Sequence, residues 1–261
     1  GFVGDGVTQP VQAIVDVGEV PIDEVDLTHL DSEEQAGALD EALAVERRRR
    51  FDIEAPPLLH VTVLRLAGDR CRIMVSRHLL LWDGWSGQVV FTDLFTLYDG
   101  GPEAAGPPPG GSYRDYLGWL ARQDDGEARA AWGRALAGLD EPTLVAPAGD
   151  RPPVLPAART VDLPAGLTER VVGLARRHGF TLSTVLSGAW AMVLGGLVGR
   201  DDVTFGLTVS GRPAEVPDVE RIAGLFLNTV PTRVALRPGE RALDLLGRIQ
   251  ADRADVLAHE H

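Results

Sequence analysis

The stretch that decides the fold is SRHLLLWDGWSG, residues 76–87, in which His78 stands five positions before an Asp-Gly-Trp-Ser run. Residues 71–78 are predicted to form a strand, in which Cys71, Ile73 and Val75 alternate with Arg72, Met74 and Ser76, so that neighbouring side chains face opposite sides of the sheet. Gly84 interrupts that alternation, and residues 85–98 are typical of a helix. The stretch predicts a strand, a short loop and a helix. The loop is either an acid–base site or only a connection from a buried strand into a helix.

Length and composition favour two lobes. The chain has 261 residues, 44% of them hydrophobic, which suits one large domain or two lobes of roughly 100 to 150 residues. A Pro-rich stretch, residues 138–157, is typical of a linker between lobes. We therefore expect an N-terminal lobe over residues 1–145, which carries the His and Asp described above, and a partial C-terminal lobe over residues 146–261.

The charged residues exclude several classes of protein. The 25 basic and 38 acidic residues give a formal net charge of −13, which repels nucleic acid phosphates and anionic lipid surfaces. All the basic residues are Arg. Without Lys the chain cannot perform Schiff-base chemistry, attach pyridoxal phosphate or form a Gly-Lys-Ser/Thr phosphate loop. We expect neither nucleic acid nor a membrane as a partner.

Cysteine content and apolar runs bear on location. The single cysteine, Cys71, cannot form an internal disulfide, and the sequence does not open on a signal peptide. No apolar run approaches the roughly 18 residues of a membrane span. The sequence therefore predicts a cytoplasmic protein.

The order of elements is that of a mixed fold. Ser32, with Gln35 three positions later, predicts a capped helix to about Arg50. The runs at residues 58–67 and 71–78, separated by Gly-Asp-Arg, predict a β-hairpin. Beyond the linker, further strands and helices are mixed. This order predicts an α+β fold class with α/β sandwich lobes.

Four stretches, taken in chain order, resemble motifs of the condensation domains of nonribosomal peptide synthetases. HLLLWDGWS at residues 78–86 resembles the HHxxxDGWS motif, and YRDYLGW at residues 113–119 resembles YxDYxxW. IAGLFLNTVPTR at residues 222–233 is similar to (I/V)GxFxNTxxxR, and VTFGLTVSGRP at residues 203–213 is similar to the preceding strand and loop. Four motifs in the family's order are far more specific than a lone HxxxxDG, and the resemblance covers essentially the whole chain.

This resemblance implies the chloramphenicol-acetyltransferase-like fold, in which two lobes form a V with the site at their junction. The family's motifs that would precede Phe2, and those that would follow residues 258–261, have no counterpart in this chain. The chain therefore resembles the core of a condensation domain, with its N- and C-terminal ends truncated.

The resemblance also implies an activity and partners. In the family, an acyl or peptidyl thioester on the donor meets the amine of an acceptor aminoacyl thioester, and an amide bond forms. Both substrates are carried on phosphopantetheine arms of peptidyl carrier proteins, and the domain itself binds no cofactor. The expected partners are a donor carrier protein, an acceptor carrier protein and the neighbouring synthetase domains.

The second His of the family motif is missing. Counting back without gaps from Asp83 and Gly84, His78 takes the place of the first His and Leu79 that of the second. In the family the second His faces the reacting groups, and imidazole suits proton transfer near neutral pH. Leucine has no lone pair, so we expect impaired activity. A one-residue bulge at Trp82 would instead put His78 in the second position.

The resemblance assigns further roles around the motif. Asp83 is expected to form a structural ion pair with Arg212, and the alternative is that Arg212 is a solvated loop residue. The expected substrate-tunnel residues are Trp85, Ser86 and Asn228. Trp85 is alternatively a core residue, and Asn228 alternatively bonds a neighbouring backbone group.

Gly84 either keeps the tunnel open beside the reacting centre or permits a special backbone angle where the helix begins, and both roles are compatible. The His residues elsewhere in the chain have no metal-like spacing with Cys or carboxylates, so we predict no metal site.

Three hypotheses for function follow. The first is a condensation domain core that forms amide bonds with activity reduced by Leu79. The second is a catalytically inactive scaffold that recruits a tailoring enzyme or a carrier protein. The third is a coenzyme A-dependent acyltransferase, which the DGWS and LFLNT contexts disfavour.

Overall fold

The computed structural model describes residues 1–16, 19–101, 110–146, 149 and 154–261. Two compact units make up the chain. The first unit comprises Gly1–Pro109 and Arg221–Leu225, and the second comprises Gly110–Glu220 and Phe226–His261. A short segment from late in the sequence therefore belongs to the unit that carries the His and Asp motif.

The first unit contains a three-stranded sheet and two long helices. In chain order its elements are β1 (Phe2–Val3), β2 (Val11–Gln12), β3 (Ile22–Asp26), α1 (Ser32–Glu46), β4 (Leu59–Leu66), β5 (Arg70–Arg77) and α2 (Gly84–Gly100). Strand β3 pairs in parallel with β4, so the connection through α1 is the crossover that a parallel pair requires. Strands β4 and β5 form the predicted antiparallel hairpin.

Helix α1 differs from its prediction at both ends. Its cap is Asp31, whose side chain accepts from the backbone N–H of Glu33 and Glu34, and Glu34 returns a bond to complete a capping box. The cap predicted at Ser32 is therefore wrong by one residue. The helix ends at Glu46 rather than near Arg50, and Arg49, beyond its last turn, bonds to the Glu46 carboxylate.

The second unit packs helices against a two-stranded antiparallel sheet. Its elements are α3 (Tyr113–Leu120), α4 (Asp125–Ala135), α5 (Ala165–His178), α6 (Leu182–Val198), β6 (Asp202–Val209), β7 (Asn228–Ala235) and α7 (Ala242–Ala254). Short 3₁₀ helices cover Val219–Arg221 and Leu257–His259. Its main core cluster draws side chains from α6, α7 and both strands: Ala191, Leu194, Val203, Val234, Leu245 and Ile249.

The two units do not divide at the predicted boundary between residues 145 and 146. Residues 110–146 belong to the second unit, because their polar groups bond to it. The indole N–H of Trp132 donates to the backbone oxygen of His259 at 2.9 Å, and the backbone N–H of Thr204 donates to Thr143 Oγ1 at 2.9 Å. Part of the predicted linker is therefore packed, and its residues 147, 148 and 150–153 lie outside the described residues.

Among the described residues, no single helix is long and apolar enough to span a membrane. Helices α5 and α6 pass the length and composition test only when taken together, and they are bent by 112° at their junction.

Candidate active site

The turn that carries His78 and Leu79 begins where β5 ends. Strand β5 stops at Arg77, and the backbone N–H of Leu81 donates to the oxygen of His78 at 3.1 Å, which closes a turn. The predicted strand over residues 71–78 therefore ends one residue early, at Arg77, and His78 lies in the turn.

His78 already uses one ring nitrogen inside this turn. Its Nδ1 accepts a hydrogen bond from the backbone N–H of Leu80 at 3.2 Å. A neutral imidazole whose Nδ1 accepts carries its proton on Nε2, so Nε2 has no lone pair with which to remove a proton. Leu79 is 55% exposed and has no polar side-chain atom. As placed, neither residue is equipped to act as a general base.

Asp83 begins α2 and is fully buried. Its Oδ1 accepts from the backbone N–H and the hydroxyl of Ser86, both at 2.8 Å, so it caps the helix and holds the hydroxyl in place. Arg77 lies nearby, with its guanidinium carbon 5.1 Å from the centre of the Trp82 ring. Burial lowers the pKa of Arg77, and the charge of Asp83 opposes that shift.

Ser86 joins the motif to the segment from late in the sequence. Its buried hydroxyl oxygen accepts from the Gly224 N–H at 3.0 Å, and its single proton is shared between the backbone oxygen of Gly224 and Asp83 Oδ1, each 2.8 Å away. The backbone N–H of Asp83 also donates to the Gly224 oxygen, at 3.1 Å. We call Asp83, Ser86 and Gly224 the clamp. It brings two of the sequence motifs together inside the first unit.

Gly84 and Trp85 follow the cap. A Cβ added at Gly84 would meet nothing within 4 Å, and its backbone φ is not in the left-handed region. The special backbone angle that was one of its two predicted roles is therefore wrong, and the role of keeping space open stays a prediction. Trp85 is 52% exposed. Its core-packing alternative is wrong, because a core indole would be largely shielded from solvent.

Arg212 and Asn228 lie in the second unit, and both contact the backbone. Arg212 Nη1 donates to the oxygen of Val219, and its guanidinium carbon stands 4.0 Å from the centre of the Phe226 ring. The solvated alternative for Arg212 is therefore wrong. Its predicted ion pair with Asp83 stays a prediction.

The amide of Asn228 is occupied at both ends. Nδ2 donates to the backbone oxygen of Glu260 at 2.9 Å, and Oδ1 accepts from the backbone N–H of Thr229 at 2.8 Å. These bonds match the structural alternative for Asn228. Its tunnel role stays a prediction.

The clamp was not predicted from the sequence. Asp83 and Ser86 have the spacing of a helix cap, and that local signal was available. Nothing in the sequence indicates that the same hydroxyl also bonds Gly224, since these residues are 138 positions apart.

Replacing Ser86 by Ala is expected to loosen the clamp. The Gly224 N–H would lose its acceptor inside a buried site, which costs about 1–3 kcal/mol. Hydrogen exchange of a peptide containing Gly224 should become faster, and the midpoint of urea unfolding should fall. Thr96→Ala is the matched control, because Thr96 lies on the same helix and its hydroxyl bonds the Thr92 oxygen at an exposed position. Equal effects of the two variants would contradict a special role for Ser86.

The fold and the site together define a class of protein. A hairpin leads through a His-containing turn to an Asp-capped helix, within the mixed helix-and-sheet architecture of chloramphenicol-acetyltransferase-like proteins. The first condensation domain of the calcium-dependent antibiotic synthetase, solved with a substrate analogue, matches with a TM-score of 0.78 and 24% identity. The match covers 99% of this chain and 62% of that one, and at this identity it shows the fold.

Sequence comparison is more specific. The condensation-domain family profile matches residues 2–261, so the chain belongs to the condensation-domain family. A linear gramicidin synthase protein of Brevibacillus parabrevis is 36% identical over 269 residues, which span 100% of this chain and 5% of that protein. Bacitracin synthase 3 of Bacillus licheniformis is 31% identical over 253 residues, spanning 94% of this chain and 4% of that protein. The chain thus corresponds to a small part of each of these synthases.

The described residues contain no group of three or more His, Cys, Asp or Glu side chains placed to hold a metal ion.

Proposed function

We propose that this chain is the core of a condensation domain of a nonribosomal peptide synthetase whose amide-forming activity is weakened by Leu79. The observation that carries the proposal is the turn at residues 78–81. The clamp holds the loop that follows it, and the position of the family's second His carries an aliphatic side chain. The site thus keeps the family's scaffold around a position that has no proton acceptor.

The reaction joins two thioesters. The acceptor's amine nitrogen attacks the donor's thioester carbonyl, the new C–N bond forms, and the C–S bond breaks to release the donor arm as a thiol. The amine must lose a proton in the process, and the departing sulfur gains one. With Nδ1 of His78 bonded to Leu80 and no polar atom at Leu79, that proton passes to water. Rate enhancement then rests on holding the two substrates together.

The proposed partners follow from the reaction. Both substrates arrive on phosphopantetheine arms of peptidyl carrier proteins, one as donor and one as acceptor, and neighbouring synthetase domains supply them. The similarity to parts of large peptide synthases supports this context. The domain itself is proposed to bind no cofactor.

A second candidate is a catalytically inactive scaffold that recruits a tailoring enzyme or a carrier protein. The Nδ1 bond of His78 favours it. The position of the family's second His is Leu79 if the motif is counted without gaps and His78 if Trp82 is a bulge, and in both cases the turn lacks a free base. Coenzyme A-dependent acyl transfer is the third candidate, and the same assay tests it when acyl-coenzyme A replaces the donor carrier protein.

The deciding experiment is a condensation assay on the full-length protein. Donor and acceptor carrier proteins are loaded with their thioesters, and the amide product on the acceptor arm is measured by mass spectrometry against a reaction without the protein. We expect product formation that is slow but faster than the background. Product at the background rate, together with retention of a tailoring enzyme in a pull-down from the same gene cluster, would overturn the enzyme in favour of the scaffold.

A further inference from the structure

A partly buried carboxylate joins α1 to the sheet beside the candidate active site. Glu46 is the last residue of α1, and its side chain is 9% exposed. Its Oε2 accepts from the hydroxyl of Ser76 on β5 at 2.5 Å, and its Oε1 accepts from that of Thr62 on β4 at 3.3 Å. Arg49 donates to both carboxylate oxygens, from Nη2 to Oε1 at 2.7 Å and from Nε to Oε2 at 2.8 Å. One side chain therefore joins a helix end to two neighbouring strands.

These donors keep the partly buried carboxylate ionised. The Arg49 hydrogen bond and, after it, the Ser76 hydroxyl lower the pKa of Glu46 from 4.5 to about 2, against the opposing effect of burial. His60 on β4 adds a smaller lowering effect, with its Nδ1 3.8 Å from Glu46 Oε2. A carboxylate removed from water is costly unless donors satisfy it. Glu46 thus has the partners that a permanently charged anchor requires.

The bond between Glu46 and Ser76 lies directly before the turn at residues 78–81. Ser76 is the residue before the last one of β5, and His78 and Leu79 follow at once. Glu46, Ser76, His78 and Leu79 line one groove of about 730 Å³ in the first unit. Beyond Arg77, the turn is held by the His78 N–H bond to the Leu58 oxygen and by its two internal bonds to Leu80 and Leu81. Ser76 pairs with His60 in the ladder, so a shift of the strand end at Ser76 would change the direction in which the turn leaves the sheet.

We propose that Glu46 is a positioning residue for the turn at residues 78–81, and that it acts through the hydroxyl of Ser76. The effect of Glu46 on the rate of amide formation rests on the proposed function. The effect of Glu46 on the position of the turn does not depend on whether the protein forms amide bonds. Glu46 touches no reacting group. It fixes the strand end from which the residue at position 79 projects, so the geometry of that position depends on a side chain on another element.

The test measures hydrogen exchange in the full-length protein at the backbone amides of Leu80 and Leu81. The variants are Glu46→Gln, Ser76→Ala and the double substitution. We expect each single variant to speed exchange at these amides about tenfold, the size expected for the loss of one charge-assisted hydrogen bond. The double variant should add little to either single one, because both remove the same link.

Two further variants separate positioning from general destabilisation. Ser76→Thr keeps the hydroxyl and is expected to restore slow exchange. Glu24→Gln removes an exposed ion pair on the same sheet, where Glu24 meets Arg65 at 3.0 Å, and is expected to leave the turn unchanged. Unchanged exchange at Leu80 and Leu81 in Glu46→Gln would overturn the inference. Additive effects of Glu46→Gln and Ser76→Ala, or failure of Ser76→Thr to restore protection, would overturn it as well.

The same variants, run in the condensation assay, keep this inference distinguishable from the proposed function. Suppose that the substitutions speed hydrogen exchange as expected, but neither the wild type nor any variant forms amide. The proposed activity then fails, and the positioning role holds. If the wild type forms amide and Glu46→Gln leaves both exchange and kcat unchanged, the positioning role fails and the activity holds. If both hold, Glu46→Gln should lower kcat with little change in KM, because substrate binding does not involve Glu46.

Discussion

Replacing Leu79 by His in the full-length protein is expected to raise the rate of amide formation by roughly 10² to 10⁴, the usual contribution of a general base. The turn at residues 78–81 and the clamp that follows it are already in place. The substitution therefore adds a proton acceptor to a site that has its scaffold. The measurement is the single-turnover rate with loaded carrier proteins. The gain should follow a pH profile with a midpoint near 6.5, roughly the ordinary pKa of His.

Two control variants assign that gain to one position. Leu80→His places an imidazole one residue further along the same turn and is expected to give no gain. His78→Ala separates the two registers of the motif. In the ungapped register its effect on turnover is small, whereas in the bulged register His78 is the base and its loss abolishes activity. A fully active wild type that gains nothing from Leu79→His would contradict the assignment of Leu79 to the base position.

The secondary structure around the motif was predictable because it depends on patterns of residues that are close together in the sequence. Two strand-like runs, residues 58–67 and 71–78, with the Gly-Asp-Arg turn between them are sufficient to predict the hairpin of β4 and β5. The end of β5 was not predictable to the residue. It depends on whether His78 continues the ladder or accepts the N–H of Leu81, and alternating hydrophobicity does not distinguish these two outcomes.

The parts of the site that were missed depend on contacts between distant parts of the chain. The resemblance predicts Ser86 as a substrate-tunnel residue, which stays a prediction, and it does not indicate that the hydroxyl also bonds Gly224. Glu46 reads as an ordinary exposed residue near a helix end, yet it lies against two strands. The unit boundary was misplaced for the same reason. Composition signals a linker at residues 138–157, whereas Thr143 bonds to a strand of the second unit.

Replacing Gly211 by Ala is expected to destabilise the second unit strongly. Gly211 has a φ of +60°, and a Cβ there would lie 1.8 Å from the backbone oxygen of Phe226. A left-handed conformation costs a non-glycine residue about 1–2 kcal/mol, and overpacking against a backbone that must shift costs about 1–3 kcal/mol more. We therefore expect the free energy of unfolding to fall by roughly 2–5 kcal/mol, measured by urea denaturation.

The control for Gly211→Ala isolates the close approach from the backbone angle. Gly199 and Gly239 have φ values of +65° and +79°, and a Cβ at either would meet nothing within 4 Å. Ala at these two positions should therefore cost only the conformational part, about 1–2 kcal/mol. The excess at Gly211 measures how tightly its loop lies on Phe226, the contact that sets Arg212 over that ring. If Gly211→Ala costs no more than Gly199→Ala, the loop yields easily, and the close approach to Phe226 does not hold Arg212 over that ring.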